Sequence, residues 1–280
     1  MSTTMPSDNV ELWSGKDRGD ENFPVGVLIH PKLRPHVHAY YSFARNADDI
    51  ADNPSLTPEQ KISRLDRMDM VLSGAVASGS PSASRLRQSL TEMCMPATHA
   101  RELLIAFRQD ATKARYASWA ELMEYCRFSA APVGRFVLDL HREDRASWPA
   151  SDALCAALQV LNHLQDCADD WRNLQRCYLP TDMLTDAGID VEALTAPKTS
   201  PELRRVFDAM LDKTAALNQA ATELPHQLRS RRMRLETGMI THLAQRLHRH
   251  LRRGDPLAGR VKLRKSDFVA ALIVGVAQLV

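Results

Sequence analysis

Glycine is scarce in this 280-residue chain, at 11 residues, and no segment alternates apolar and polar side chains as a half-buried strand does. That removes a β-rich architecture and leaves helical periodicity as the dominant signal. The cysteines, Cys94, Cys126, Cys155, Cys167 and Cys177, are odd in number and form no C-x-x-C pair. A disulfide frame or zinc site is therefore not expected, and reduced thiols in a cytoplasmic protein are. The ten histidines contain no H-E-x-x-H, and His242, His248 and His250 are read as the solvated face of a basic helix. An excess of one charge is also missing, since 36 Lys and Arg stand against 34 Asp and Glu, a formal charge of +2. Bulk electrostatic binding of nucleic acid needs a concentrated basic face, so no nucleic-acid partner is expected. Residues 1–20 are polar without an apolar h-region, so no signal peptide is expected there.

No apolar run reaches the roughly 20 residues of a membrane-spanning helix. The longest candidate, residues 268–280, is mostly apolar but only 13 residues long. Two readings of it stay open. It is a last helix packed on the body, or it docks peripherally on a membrane, which the basic stretch 229–253 upstream favours.

What is present is an ordinary soluble balance, 44% apolar and 25% charged residues, enough to bury a core. Residues 1–20 are expected to be disordered, with order starting at Asn22-Phe23-Pro24. A helix runs from His36 to Asp52 and stops at Asn53-Pro54-Ser55. Thr57-Pro58-Glu59-Gln60 is a capping box with proline at the first helical position. Gly79-Ser80-Pro81-Ser82 reads as a loop. Ser118-Trp119-Ala120-Glu121 is a second capping box, opening a helix through Tyr125 that Pro132 bends or ends. Trp148-Pro149, with Ser151 as N-cap, opens a long helix to about Asn173. Ser200-Pro201 starts another, striped by Leu203, Val206, Phe207, Met210, Leu211 and Leu217. The next carries Leu235, Met239, Leu243, Leu247 and Leu251. With no fixed-period repeat and no long linker, the expectation is a single domain over residues 1–280, of eight to ten helices.

Two acidic stretches carry the chemistry. In the first, Arg45, Asp48 and Asp52 share one helix face, with Asp49 beside them; the two outer aspartates are separated by about 6 Å along the axis. In the second, Asn162, Asp166 and Asp170 recur at i, i+4 and i+8, with Asp169 adjacent. The other positions of both helices are largely apolar. Like charges at this spacing destabilise a helix, and burying them without a partner costs far more, so something must neutralise them. One answer is ordinary ion pairing, with arginines such as Arg45 and Arg172. The other is Mg²⁺, which binds through one or two carboxylates and completes its shell with water and phosphate oxygens. Two such faces opposed across a bundle interior would clamp a diphosphate as leaving group.

These residues resemble the head-to-head prenyl synthases, which include squalene and phytoene synthases. The resemblance covers residues 21–264 and rests on Tyr41-x-x-x-Arg45-x-x-Asp48-Asp49-x-x-Asp52, Tyr125-Cys126, Pro132-Val133-Gly134, Gln159-x-x-Asn162-x-x-x-Asp166-x-x-x-Asp170 and Arg260-Val261. More narrowly, Glu21-Asn22-Phe23-Pro24-Val25, residues 162–170 and Tyr178-Leu179-Pro180 look like the bacterial hydroxysqualene synthases of hopanoid biosynthesis. The resemblance implies an all-α isoprenoid-synthase bundle around a central apolar cavity. It implies Mg²⁺ on Asp48, Asp52, Asp166 and Asp170, with Asp49 and Asp169 as neighbours. It places Gln159, Asn162, Arg45 and Arg260 at the diphosphate, and Tyr41 and Tyr125 at the reacting carbons. In such enzymes two farnesyl diphosphates give presqualene diphosphate, whose ionisation and rearrangement end with hydride from NADPH or with water.

The narrower resemblance implies the water ending: presqualene diphosphate to hydroxysqualene, Mg²⁺ required and NADPH not expected, with hand-over from a separate presqualene diphosphate synthase. Gln165 departs from the family pattern, where a basic residue often precedes the aspartate; a neutral side chain removes one diphosphate contact and fits an enzyme that receives a single diphosphate substrate. Two rivals stand beside this expectation. One is another head-to-head step on the same fold, namely presqualene diphosphate, squalene or phytoene synthesis. The other is a non-catalytic helical assembly protein derived from such a synthase, against which both intact aspartate sets speak.

Overall fold

The computed structural model describes residues 9–11 and 29–279. The expected starting point of order at Asn22 and the 21–25 motif lie outside the described residues, as does most of the 1–20 segment. Of that segment, residues 9–11 are fastened: the Glu11 carboxylate accepts from the Ser80 hydroxyl and from the Ser82 amide and hydroxyl, at 2.5, 2.7 and 2.6 Å.

Twelve α-helices and no strand make up the described residues, joined by short turns. They fall into two compact units, one holding Ile29–Thr112 and the other Lys113–Val280. The first unit contains α1 (Arg34–Ala51), α2 (Pro58–Ser73), α3 (Pro81–Glu92) and α4 (Thr98–Asp110). Thr57 and Gln60 form the expected reciprocal cap of α2, the hydroxyl accepting from the Gln60 amide at 3.3 Å and the carboxamide from the Thr57 amide at 2.9 Å. The Gly79–Ser82 loop ends earlier than expected. Ser80 is the N-cap of α3 and Pro81 its first residue, because a serine followed by proline is a helix start as readily as a turn.

The second unit contains α5 (Trp119–Ser129), α6 (Ala131–Leu140), α7 (Trp148–Leu174), α8 (Thr181–Asp186), α9 (Pro201–Ala221), α10 (Leu224–Gln227), α11 (Arg231–Arg253) and α12 (Lys265–Ala277). The helix count thus exceeds the expected eight to ten. Ser118 caps α5 by accepting from the Glu121 amide at 3.3 Å, but the box is half formed. The Glu121 carboxylate takes the Ala117 amide and the Lys113 ammonium instead. The helix opened at Ser118 stops at Ser129, as expected ahead of Pro132, and the proline sits in the first turn of α6, where its missing N–H costs nothing. α7 begins four residues before the expected start: Ser147 occupies the N-cap position and Ser151 is buried inside the helix.

Gly134 lets α6 lie close on α7, since a Cβ there would stand 2.4 Å from Ser151 Oγ and 2.7 Å from Cys155 Sγ. Leu203, Val206, Phe207, Met210 and Leu211 of α9 are buried as expected, while Leu217 is half-buried. Of the expected α11 stripe, Leu243, Leu247 and Leu251 are buried, and Leu235 and Met239 are half-buried toward α12. The histidines of α11 are not a solvated face. His248 Nε2 lies 2.8 Å from the Leu211 carbonyl, and His250 Nε2 lies 2.8 Å from Asp267 of α12. No described helix is long and apolar enough to cross a membrane. All five cysteines are free thiols, and burial pushes Cys126 up to about 12 and Cys155 and Cys177 up to about 11.

Candidate active site

In the first unit, the helix period divides α1 cleanly. Ala39, Tyr40, Phe43, Ala47, Ile50 and Ala51 are buried, and Tyr41, Arg45, Asp48 and Asp52 follow one another along a partly exposed stripe. Asp52 is the C-cap, its amide bonded to the Asp48 and Ile50 carbonyls, so the last aspartate is held where the helix stops. Arg45 Nη1 donates to Asp48 Oδ2 at 3.1 Å, and its Nε stands 3.5 Å from Asp49 Oδ1. Asp49 is buried and faces the other side of the arginine.

One guanidinium does not neutralise this group. Desolvation and the Asp52 carboxylate raise Asp48 from 3.8 to about 8; Arg45 opposes them, and Asp110 of α4 and Asp49 add to the rise. Without a further cation, burial and the neighbouring carboxylates favour the protonated form of Asp48. The ion-pair reading of this stretch accounts for part of its charge, and room remains for a hard cation.

In the second unit, α7 presents Gln159, Asn162, Asp166 and Asp170 on one partly exposed face, at i, i+3, i+7 and i+11. Asp169 lies off that face, paired with Arg172 at 2.7 Å in a solvated ion pair whose side chains are 63% and 66% exposed. Arg260 is brought to α7 by the loop after α11. Its Nη2 and Nε each lie 2.9 Å from one oxygen of the Asp166 carboxylate, a two-pronged pair. The loop is tied down by Gln165, buried in α7, whose carboxamide donates to the Val261 carbonyl. Gln165 therefore positions the arginine's loop.

Tyr125 of α5 belongs to a buried cluster that the sequence does not reveal. The segments 113–117 and 175–182 run side by side, the Cys177 amide bonding to Ala114 O at 3.0 Å and the Thr181 amide to Tyr116 O at 2.8 Å. That pairing stacks Tyr116 on Tyr178, centroids 5.4 Å apart, and Tyr125 lies 5.2 Å from Tyr116 and 5.5 Å from Tyr178. His163 of α7 stacks on Tyr178 at 3.5 Å, with its Nε2 3.2 Å from Gln159 Nε2. Arg176 Nη1 donates to the Tyr178 hydroxyl at 3.2 Å. Burial, and then Arg176, lower His163 to about 3, so the imidazole is neutral at physiological pH. The result is a buried aromatic wall, braced by the Arg176 guanidinium, with His163 about one turn of α7 and Gln159 about two turns from Asp166.

The donor set suits magnesium. Both faces offer carboxylate oxygens and the α7 face adds the carboxamides of Gln159 and Asn162, while Cys167, next to Asp166, is buried behind the face with its thiol pKa pushed up by burial. Among the described residues no three His, Cys, Asp or Glu side chains converge on a point. A protein supplying one or two carboxylates per ion, with water and phosphate completing the shell, is the usual arrangement for Mg²⁺.

An all-α chain with two such faces belongs to the squalene/phytoene synthase family, whose model matches residues 16–267 and so spans both units. Within that family the chain is 47% identical over 262 residues to a hydroxysqualene synthase of Rhodopseudomonas palustris, covering 93% of this chain and 89% of the relative. It is 44% identical to the hydroxysqualene synthase of Sinorhizobium fredii, over 87% of this chain and 84% of that one. The crystal structure of a squalene synthase from Alicyclobacillus acidocaldarius superimposes with a TM-score of 0.73 at 29% identity, covering 82% of this chain and 86% of that chain. The expected all-α isoprenoid-synthase fold and the narrower resemblance both stand, and the chain is an enzyme of this family.

Proposed function

We propose that the chain converts presqualene diphosphate and water into hydroxysqualene and diphosphate. The observation that carries this reading is the 47% identity to a hydroxysqualene synthase along 93% of the chain. The two partly exposed aspartate faces support it.

In this mechanism Asp48 and Asp52, with Asp49 as neighbour, and Asp166 and Asp170, with Asp169 beside them in the chain, would hold Mg²⁺, which would supply positive charge to the departing diphosphate oxygens. Arg45 and Arg260 contribute guanidinium forks to the same oxygens, and Gln159 and Asn162 contribute carboxamide donors. Arg260, paired in the structure with the Asp166 carboxylate, would exchange that partner for the diphosphate. Loss of diphosphate leaves a carbocation, which Tyr41 and the ring of Tyr125 face and stabilise. The neutral His163 adds no positive charge to that wall. Water then supplies the hydroxyl and loses a proton, closing the reaction without a reductant, so NADPH is not required.

The reading includes one catalytic domain formed by both units, a cytoplasmic location and delivery of presqualene diphosphate by a separate synthase. Mass analysis of products from purified enzyme tests it. A C30 alcohol formed from presqualene diphosphate with Mg²⁺ alone supports it. Squalene formed only when NADPH is added supports the second reading, a reductive ending, which the name of the Alicyclobacillus structure favours.

A further inference from the structure

A site that shelters a carbocation has to keep bulk water away, yet the proposed reaction ends on water. One water molecule must therefore be held in a fixed place until the diphosphate leaves. On α7 the aspartates already have cations to hold in that reading. Tyr125 is buried, with its hydroxyl 3.5 Å from that of Tyr178. One uncharged polar pair joins the two groups: Gln159, on the aspartate face, and His163, in the aromatic wall.

The atoms in contact decide the chemistry of this pair. Gln159 and His163 are four residues apart on α7, so their side chains meet on one side of the helix. The contact runs 3.2 Å from the carboxamide Nε2 to the imidazole Nε2. An amide nitrogen offers hydrogens and no lone pair, so the ring nitrogen is the acceptor. That requires a neutral imidazole with its hydrogen on Nδ1.

The wall keeps the ring in that state. His163 is buried with its ring on Tyr178, the planes 16° apart, and the Tyr125 centroid is 6.1 Å away. Arg176, also buried, donates to the Tyr178 hydroxyl, so the ring that clamps His163 is itself held. Burial, and then the Arg176 charge, push the imidazole down to about 3. Among the described residues His163 is the one partner of the Gln159 carboxamide. The second N–H of the amide and the lone pairs of Oε1 are left for ligands. The N–H suits a diphosphate oxygen, and Oε1 suits a hydrogen of water.

We infer that His163 is a positioning residue: it takes one N–H of Gln159 and so turns the carboxamide oxygen to hold the water that ends the reaction. The inference rests on the reaction proposed above and names the group that fixes its ending. The oxygen of that water forms the new bond to carbon and one of its O–H bonds breaks. The proton passes to the diphosphate just released, a far stronger base than an amide. An uncharged pair suits this place. A protonated imidazole would repel the cation, and a further carboxylate would draw a metal ion or bond to the cation itself. Without a held water the cation instead loses a proton from carbon to the diphosphate, and a C30 hydrocarbon forms in place of the alcohol.

Two measurements test it. ¹⁵N NMR of the full chain labelled on histidine reads the ring directly, the His163 signals being those lost in His163→Phe and shifted in Gln159→Met. At neutral pH an uncharged ring with its hydrogen on Nδ1 is expected. A protonated ring, or one with its hydrogen on Nε2, overturns the inference. The second measurement is the ratio of C30 alcohol to C30 hydrocarbon formed from presqualene diphosphate with Mg²⁺. His163→Phe keeps a ring against Tyr178 and loses the acceptor. Gln159→Met loses the carboxamide at a partly exposed position, and covers the case of a phenylalanine variant that does not fold. The ratio is expected to fall about tenfold or more in each. A merely structural role would slow both products together and leave the ratio unchanged. That result, with wild type making alcohol, overturns the assignment of the water and leaves the reaction standing. Wild type that makes no alcohol while its ring has the expected hydrogen refutes the reaction instead.

Discussion

Replacing Asp48 with asparagine separates what the α1 stripe does for stability from what it does for function. In the metal-free protein Asp48 is a carboxyl whose pKa is raised from 3.8 to about 8, chiefly by desolvation and by Asp52. A raised carboxyl favours the protonated state in the fold, so the folded chain binds more protons than the unfolded one between pH 4 and 8. Stability then falls as pH rises through that window, and the loss is complete above about pH 8. The side chain keeps 36% of its exposure, so water screens much of this effect. After that discount the cost at pH 8.5 is about 1–2 kcal/mol. Asparagine has the same shape, still accepts from Arg45 and cannot ionise. Metal-free D48N is expected to be the more stable protein at pH 8.5, by about 3–6 °C in Tm for a chain of this size. The advantage shrinks toward pH 5. Added Mg²⁺ raises the Tm of the wild type more than that of the variant, while turnover of the variant falls by about a hundredfold or more. Calorimetry at several pH values, metal-free and with Mg²⁺, checks each arm. A D48N protein no more stable than wild type at pH 8.5 refutes the reasoning.

Further outcomes follow from other sites. Arg260→Lys keeps the charge but not the two-pronged pairing with Asp166, so kcat/KM should fall about tenfold to a hundredfold in steady-state kinetics, with Tm nearly unchanged. Gln165→Leu breaks the bond to the Val261 carbonyl that ties down the Arg260 loop. It is expected to copy part of the Arg260 defect without touching a ligand, and R260K combined with it should be less than additive. Tyr125→Phe removes a hydroxyl 3.5 Å from that of Tyr178 but keeps the ring, so the fold persists and the cation-facing surface survives; Tyr125→Ala opens a cavity and costs about 3–5 kcal/mol in denaturant melts. Asp267→Asn leaves Arg246 and His250 facing a neutral group in a buried position and should cost about 3 kcal/mol. Asp267 is held well below the ordinary carboxylate range by the Arg264 amide, His250 and Arg246 against the opposing effect of burial. Its contribution is therefore present above about pH 4 and lost only in strong acid, which acid titration of the two proteins measures.

What the sequence reveals of this enzyme is what lies within one helix. The stripes Arg45–Asp48–Asp52 and Asn162–Asp166–Asp170 need only a period of 3.6, and each set shares one partly exposed helix face. The Thr57 cap is local too, and it forms in full. Misreadings arise where local chemistry is ambiguous. Ser80-Pro81 serves as turn or helix start equally well, and Ser147 and Ser151 are competing N-caps that only the packing of α7 against its neighbours decides. Contacts between residues far apart in the chain are not legible. Arg246 and His250 closing on Asp267, Gln165 reaching Val261, and His163 stacking on Tyr178 each join separate elements, and no spacing rule connects them. The histidines of α11 looked solvated for that reason, and the aromatic wall beside Tyr125 gave no signal beyond scattered tyrosines.

The central claim is that water, and not hydride, ends the reaction on presqualene diphosphate. Purified enzyme incubated with presqualene diphosphate and Mg²⁺ in ¹⁸O-labelled water, without NADPH, tests it most directly by mass spectrometry of the C30 product. An alcohol carrying one solvent-derived ¹⁸O is the expected product. Squalene that forms only on addition of NADPH, or an alcohol without the label, would contradict the claim.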